Sequence, residues 1–160
     1  MAILTDSGRT AVALSIKNQP IHLAWGSGSS GWDTTPVPES ITDTALVAEI
    51  GRKIITVSNY VTPDVAGAIV VPTGRFSVSA TPTRYLYCRF DYDYGDSSSA
   101  TIRELGVFVG CTTNPALPGG QTYFAPSDIV SPGTMLVSER IPVFSRSPTS
   151  RPTFEFVIMF

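Results

Sequence analysis

Residues 101–110 constrain the fold more than any other stretch of the sequence. Apolar side chains lie on both sides of this segment, and Gly106 leaves room for a close neighbour. One side carries Leu105, Val107 and Val109, and the other carries Ile102 and Phe108. Arg103 and Glu104 point to opposite sides, so each must reach water or a partner elsewhere. The sequence therefore predicts a strand that is buried on both faces, inside a stack of sheets.

The composition fits a β-rich protein with part of its surface held against other chains. The 13 Pro and 13 Gly residues are spread along the chain and divide it into short segments. With 160 residues, the chain has the usual size of one domain. Hydrophobic residues make up 42% of it and charged residues only 15%, which is apolar for a free-standing soluble protein. We therefore expect a single, mainly β domain over residues 1–160: a sandwich or barrel-like antiparallel fold with one or two short helices.

The charge and the apolar runs exclude several classes of partner. A net charge of −2 offers no basic surface for nucleic acid or for an anionic membrane. The first residues, Met-Ala-Ile-Leu-Thr-Asp, lack the basic and apolar regions of a signal peptide. No apolar run approaches the roughly 18 residues of a membrane-spanning helix. We expect synthesis in a cytoplasm, with no nucleic-acid or membrane partner.

Two short helices and a series of strands are predicted along the chain. Helices are expected over residues 6–17 and 41–50, and strands over 21–25, 54–58, 68–71, 76–79, 84–93, 101–110, 135–138, 141–144 and 153–160. Thr5 or Asp6 caps the first helix, which turns Ala11 and Leu14 inward, with Val12 as a further candidate for the inward face. Asp43 caps the second helix.

The aromatic strand over 84–93 is predicted to form a hairpin around Asp96 with the strand over 101–110. Its buried face carries Leu86, Cys88, Phe90 and Tyr92. In the register of such a hairpin, Cys88 and Cys111 lie several residues apart, too far for an easy disulfide. We expect two free, buried thiols, and an inter-subunit disulfide stays open as the alternative.

A Gly-x-Gly-x-x-Gly motif begins at Gly26, directly after a predicted strand, as in dinucleotide-binding proteins. That mechanism needs a helix that opens at the loop and whose first amides hold the pyrophosphate. Pro38 interrupts any such helix here. We instead expect a flexible turn flanked by Trp25 and Trp32, whose rings anchor the loop on the core or face a partner.

Residues that could carry catalysis or bind a metal are few. His22 is the only histidine, and no Gly-x-Ser-x-Gly motif surrounds a serine, so we interpret His22 as structural. Asp91, Asp93 and Asp96 resemble part of a calcium loop, but the glutamate expected at its twelfth position is absent. Solvated carboxylates are the simpler interpretation. No catalytic residue, metal site or cofactor is predicted.

The last third of the chain supplies most of the candidate contact residues. The terminal strand is too apolar to be left in solvent, so we expect it to pair within a sheet or against a neighbouring subunit. One of its faces carries Phe154, Phe156, Ile158 and Phe160. Pro142 confines its strand to an edge or a bulge. Three arginines lie on loop surface or form ion pairs between subunits with carboxylates such as Asp128: Arg140, Arg146 and Arg151. Together with Trp25 and Trp32, these residues form the predicted partner interface.

Three motifs resemble, in the same order, motifs of the N-terminal module of bacteriophage tail-collar and tail-fibre proteins. They are Trp25-Gly26-Ser27-Gly28 followed by Trp32-Asp33, then Ala45-Leu46-Val47-Ala48-Glu49-Ile50-Gly51-Arg52, then Ile102-Arg103-Glu104-Leu105-Gly106-Val107-Phe108. The last is similar to the closing signature of that module, IRE-(L/I)-G-(L/V)-F. The resemblance covers residues 1–110, the collar/fibre-like module, and leaves residues 111–160 as a strand-and-loop extension.

The resemblance implies a non-enzymatic structural protein of a phage tail, located in the virion at the baseplate, collar or fibre attachment. Its expected partners are other tail and baseplate proteins, and the chain is expected to form a homo-oligomer in a symmetric assembly. One alternative is a β-sandwich carbohydrate-binding module that stacks a host surface glycan on Trp32, Tyr92 or Tyr94. Another is a small hydrolase, whose activity would depend on His22.

Overall fold

The computed structural model describes the whole chain, residues 1–160, and its fold is mainly β and antiparallel, as predicted. One helix, α1, spans Asp6–Lys17, and two short 3-10 helices span Ser30–Asp33 and Pro126–Asp128. The strands are β1 (Ile21–Gly26), β2 (Glu49–Ile54), β3 (Val57–Pro63), β4 (Ile69–Val71), β5 (Gly74–Val78), β6 (Tyr85–Asp91), β7 (Thr101–Val109), β8 (Thr112–Thr113), β9 (Tyr123–Phe124), β10 (Ile129–Ser131), β11 (Thr134–Ser145) and β12 (Thr153–Met159). No helix is both long enough and apolar enough to span a bilayer.

Contacts within the chain divide it into two compact units. The terminal unit combines Met1–Gln19, Ile55–Phe90 and Thr153–Phe160, and the central unit combines Pro20–Ile54 and Asp91–Pro152. Each unit contains one five-stranded sheet. The single domain over 1–160, with 1–110 and 111–160 as its parts, stays a prediction.

The central unit is built around β7. Its main sheet has the strand order β11-β7-β1-β2-β9, and β10 and β8 form a small second sheet. Ile102 and Val107, on opposite faces of β7, have no exposed surface, which confirms that this strand is buried on both sides. A Cβ on Gly106 would lie 3.0 Å from Met135 and 3.1 Å from Leu46, so the expected close neighbours are present.

The terminal unit carries a sheet with the order β12-β6-β3-β5-β4, whose two end strands approach each other. The sheet is therefore nearly closed into a barrel. Leu86, Cys88 and Phe90 of β6 have no exposed surface, as the alternation of this strand predicted. The terminal strand β12 pairs with β6, which agrees with its apolar sequence, and Phe156 contacts Phe90 with their ring centroids 6.3 Å apart.

The first predicted helix is confirmed, but the side that it buries differs from the prediction. Thr5 caps it, since its side-chain oxygen accepts a hydrogen bond from the Gly8 N–H at 3.2 Å. Ala13 is buried, whereas Ala11 is exposed and Leu14 is 43% exposed. Because residues 11–14 are all apolar, the sequence does not mark a single face, and packing within the unit selects it.

The second predicted helix, over residues 41–50, is wrong, and so is the strand over 54–58. Residues 41–48 form turns and irregular chain, and β2 begins at Glu49. The backbone N–H groups of Val47 and Ala48 donate to the carboxylate of Glu104, so they do not form the hydrogen bonds to the carbonyls four residues earlier that a helix over 41–50 requires. Residues 55–56 are not in a strand, so they separate the end of β2 from the start of β3.

The predicted hairpin around Asp96 is also wrong. Strand β6 pairs with β3 and β12, while β7 pairs with β1 and β11. Asp96 folds the connection into a compact loop, because its carboxylate accepts the Asp93 N–H at 2.7 Å and the Lys53 ammonium at 2.8 Å. The bulge at Pro142 is confirmed: the register of β11 against β7 shifts between Arg140 and Phe144.

Candidate assembly interface

The two charges at the start of β7 hold neighbouring segments of the central unit. Glu104, only 4% exposed, accepts the N–H groups of Val47 at 3.0 Å and Ala48 at 2.8 Å. Arg103 donates to both carboxylate oxygens of Asp33, at 2.8 and 2.7 Å. These hydrogen bonds lower the pKa of the Asp33 carboxyl below its ordinary value. Arg103 and Glu104 therefore bind different partners, as expected for side chains on opposite faces of the strand.

Trp32 is held between the glycine-rich loop and β11. Gly28 has a φ of +54°, and a Cβ at that position would lie 2.3 Å from the Trp32 ring, so only glycine fits under the indole. The guanidinium of Arg140 lies 4.4 Å from the centroid of the Trp32 ring. Two candidate residues that are far apart in the sequence thus meet on the surface of the central unit.

A pocket of about 410 Å³ opens beside this pair. Apolar residues from two segments form its rim: Pro36, Val37, Ile141, Pro142 and Val143. Trp32, Arg140 and the Arg103–Asp33 ion pair complete its lining. The bulge at Pro142 places its neighbours there, because it lifts residues 141–143 out of register with β7. We refer to this cavity as the Trp32–Arg140 pocket.

Trp25 and Arg146 lie in the core of the central unit. Trp25 has no exposed surface, stacks on Tyr92 with ring centroids 3.7 Å apart, and donates its indole N–H to the Tyr123 hydroxyl at 2.9 Å. Arg146 is 5% exposed, lies 5.2 Å from the Trp25 ring and donates to backbone carbonyls, including that of Asp93 at 2.9 Å. Trp25 therefore anchors the loop on the core, one of its two expected roles. The expectation that Arg146 lies on the loop surface is wrong, because its guanidinium is buried among backbone carbonyls.

Two of the three aspartates of the calcium-like segment are engaged with cations of the chain. Asp96 receives the ammonium of Lys53, and these side chains are only 12% and 6% exposed. Asp93 forms a surface ion pair with Arg151 at 3.1 Å, with both side chains more than half exposed. The Arg151 guanidinium also lies 5.3 Å from the ring of Tyr94, which is 51% exposed.

The C-terminal residues Phe154, Phe156, Ile158 and Phe160 are half-buried in the terminal unit. Met159, on the other face of β12, is 63% exposed. Beside it lies an apolar cleft of about 620 Å³, whose lining includes Val157, Tyr85 and Phe76. Whether these residues contact another chain stays a prediction, as it does for Trp32, Arg140 and Arg151.

His22 is buried between strands of the central sheet, with 3% of its surface exposed. Its Nδ1 has no hydrogen-bond partner, and its ring contacts the edge of Phe124. Burial and the nearby charge of Arg52 lower the pKa of the imidazole to about 4. A neutral, enclosed imidazole fits the structural interpretation.

The lowered pKa of His22 predicts that the free energy of unfolding depends on pH. The unfolded chain binds a proton at His22 below about pH 6.5, whereas the folded chain does so only near pH 4. Above pH 6.5, His22 therefore does not reduce the free energy of unfolding. As the pH drops from 6.5 toward 4, the free energy of unfolding falls. We expect wild type to lose about 2–3 kcal/mol more than His22→Leu between pH 7 and pH 4.5, measured by urea unfolding. Equal losses in the two proteins would contradict the assignment.

The two cysteines are buried free thiols, as expected. Burial raises the pKa of the Cys88 thiol to about 12 and also raises that of Cys111. Both are therefore unreactive in the folded chain.

Several residues of the pocket are not predictable as contact residues from the sequence. Asp33 was the counterpart that Arg103 required, but a pairing across the fold has no local signal. The sequence marks Ile141 and Val143 only as strand residues. Pro142 was the available signal, because a proline within a strand indicates a bulge that turns its neighbours outward.

One comparison with known proteins bears on the whole chain. Residues 1–160 match the model of a family described as "Baseplate wedge 3 tail fiber network component". A search of the curated proteins finds no match. A baseplate protein is a structural part of the phage tail and so of the virion, as the sequence motifs implied. The chain therefore belongs to the baseplate wedge 3 tail fiber network component family.

Proposed function

We propose that this chain is a non-enzymatic connector of the baseplate that binds neighbouring baseplate and tail-fibre proteins through the Trp32–Arg140 pocket. The observation that carries the proposal is the meeting of Trp32 and Arg140 beside an open cavity with an apolar rim. Tryptophan and arginine are the residue types that most often dominate the energy of protein interfaces. The family description supports a partner among the components of the same network.

The lining of the pocket favours binding over catalysis. Its one carboxylate, Asp33, is held by two hydrogen bonds from Arg103, and its lowered pKa keeps it ionised. It is therefore not a proton donor near neutral pH. The hydrogen bonds also fix the shape of the pocket before a partner arrives, which reduces the entropy lost on binding.

The remaining parts of the proposal concern assembly. The apolar C-terminal strand, with Met159 exposed beside the cleft of the terminal unit, supplies a second contact surface. Several copies of the chain are expected to occupy equivalent positions in a symmetric baseplate, after synthesis in the cytoplasm of the bacterial host.

The geometry does not favour the carbohydrate-binding alternative. Tyr92 has no exposed surface, so the suggestion that it forms a sugar platform is wrong. Arg140 covers part of the Trp32 ring, and Arg151 lies over Tyr94. A sugar needs an open aromatic face.

Replacing Trp32 by Ala is expected to weaken binding to the baseplate about 30-fold, because truncating an interface hot spot costs about 2 kcal/mol or more. The assay adds purified full-length chain to tails from phage that lack its gene, and measures the bound chain against concentration. Trp32→Phe keeps an aromatic ring over Gly28, so its affinity for the tails is expected to lie between those of wild type and Trp32→Ala.

Tyr94→Ala is the matched control, since it removes an exposed aromatic ring from the same unit but away from the pocket lining. It is expected to bind as wild type does. Thermal unfolding of each variant checks that it is folded. Wild-type binding by a folded Trp32→Ala variant would refute the proposed interface.

A further inference from the structure

Strand β11 lies at the end of the central sheet and pairs with β7 on one side only. Its other side faces residues 36–43, a segment without helix or strand, which we call the strap. An edge strand exposes backbone N–H and C=O groups that can pair with another strand, and proteins often cover such edges with a loop. The strap occupies that position on β11.

Polar contacts from two residues of β11 hold the strap. The Arg140 backbone N–H donates to Glu39 Oε1 at 2.6 Å, and its guanidinium Nη1 donates to the carbonyls of Val37 and, at 2.7 Å, Pro38. Ser138 Oγ donates to Asp43 Oδ2 at 3.2 Å. The Arg140 N–H therefore points away from β7, and Ser138, two positions earlier, presents its backbone groups on the same side.

The strap leaves space between itself and the strand. A cavity of about 340 Å³ lies there, and Met135, Leu136 and Val137 of β11 form its inner wall. Strap residues 36–42 are all exposed, including Ile41, which is turned fully to solvent. The strap is thus fixed by side-chain contacts and not by a ladder of backbone hydrogen bonds.

We propose that an extended, acidic segment of a neighbouring tail protein displaces residues 39–43 of the strap, leaves Pro36 and Val37 in the rim of the Trp32–Arg140 pocket, and adds as a strand to the outer edge of β11. Backbone groups at Ser138 and Arg140 pair with the incoming strand. Apolar side chains of the segment fill the cavity beside Met135 and Val137. This inference rests on the proposed docking role and names the kind of segment that docks.

Charge complementarity specifies the acidic side chain. The Arg140 guanidinium donates only through Nη1, so Nε and Nη2 have no acceptor in the chain. Displacement of residues 39–43 also removes the carboxylate of Glu39, the counter-charge of Arg140, while Arg140 keeps its hydrogen bonds to the carbonyls of Val37 and Pro38. A carboxylate on the incoming segment restores the counter-charge.

A reversible crosslink between strap and strand provides the test. Asp43 and Ser138 already touch through their side chains, so the double variant Asp43→Cys with Ser138→Cys can lock the strap by a disulfide. The native thiols are fully buried, whereas positions 43 and 138 are only half-buried, so the new pair is the more accessible to an oxidant. We expect the oxidised protein to bind at least 10-fold more weakly than the reduced protein to tails that lack the chain. Equal binding of the two forms would overturn the inference.

A second variant tests strand addition to β11 without a crosslink. Ser138→Pro removes an N–H that points away from β7, so the sheet is kept while strand addition is blocked. The folded variant is expected to lose at least 10-fold in binding to the same tails. Wild-type binding would overturn strand addition. Because both experiments leave Trp32 and the pocket rim unchanged, their failure together with a weakened Trp32→Ala variant would refute the strand and retain the pocket.

Discussion

Replacing Asp96 by Asn is expected to lower the free energy of unfolding by about 3–5 kcal/mol, because it leaves a buried ammonium group without its counter-charge. The Lys53 Nζ lies 2.8 Å from Asp96 Oδ2, and the two side chains are 6% and 12% exposed. Thr122 Oγ1, at 3.0 Å, is the other hydrogen-bond acceptor of this ammonium. An amide cannot neutralise it. Urea unfolding at pH 7, followed by circular dichroism, measures the loss.

Asp93→Asn is the matched control for this experiment. Asp93 makes the same chemical contact with a cation, Arg151 at 3.1 Å, but both side chains are more than half exposed. Exposed ion pairs contribute about 0–1 kcal/mol, so little change is expected. A double variant, Lys53→Met with Asp96→Asn, is expected to recover part of the loss. Similar effects of Asp93→Asn and Asp96→Asn would show that burial of the pair does not determine its contribution.

Replacing Trp25 by Ala is expected to destabilise the chain by about 3–5 kcal/mol, the usual loss for truncating a buried aromatic residue. Trp25 has no exposed surface, and its ring stacks on Tyr92 at an interplanar angle of 20°. The variant leaves a cavity beside Tyr123 and Arg146. Urea unfolding measures this loss as well.

Trp25→Phe distinguishes the contribution of ring packing from that of the indole N–H hydrogen bond. The phenyl ring keeps most of the stacking on Tyr92, while the hydrogen bond to Tyr123 is lost. The Tyr123 hydroxyl still contacts Ser97 Oγ at 2.6 Å, so the expected loss is only about 1–2 kcal/mol. Equal losses for Trp25→Phe and Trp25→Ala would mean that the indole N–H, and not the packing, stabilises this core.

Features with a local cause were predictable from the sequence. Strand β7 is apolar on both sides, and every second residue of β6 from Leu86 to Phe90 is apolar, so each strand shows its buried face within ten residues. Tyr87, expected on the polar face of β6, is nevertheless buried. The cap at Thr5 follows from a side chain and an amide three positions away. In each case the deciding interaction lies within the element itself.

Features with a distant cause were not predictable. Residues 41–50 have a helical pattern, but Glu104 takes the amides of Val47 and Ala48 from another part of the chain. The predicted hairpin failed because Lys53 draws Asp96 into a different arrangement. Likewise, Trp32 and Arg140 were each predicted as contact residues, but their meeting depends on the tertiary fold.

The interleaved composition of the two units sets an order for folding during translation. All strands of the central unit are synthesised before β12, whereas the terminal unit needs β12 to complete its sheet. Until β12 is made, β6 has one unpaired edge, and the nascent chain already contains all the other strands of both five-stranded sheets. The terminal unit is therefore the part of this protein that is exposed to mispairing while it is being synthesised.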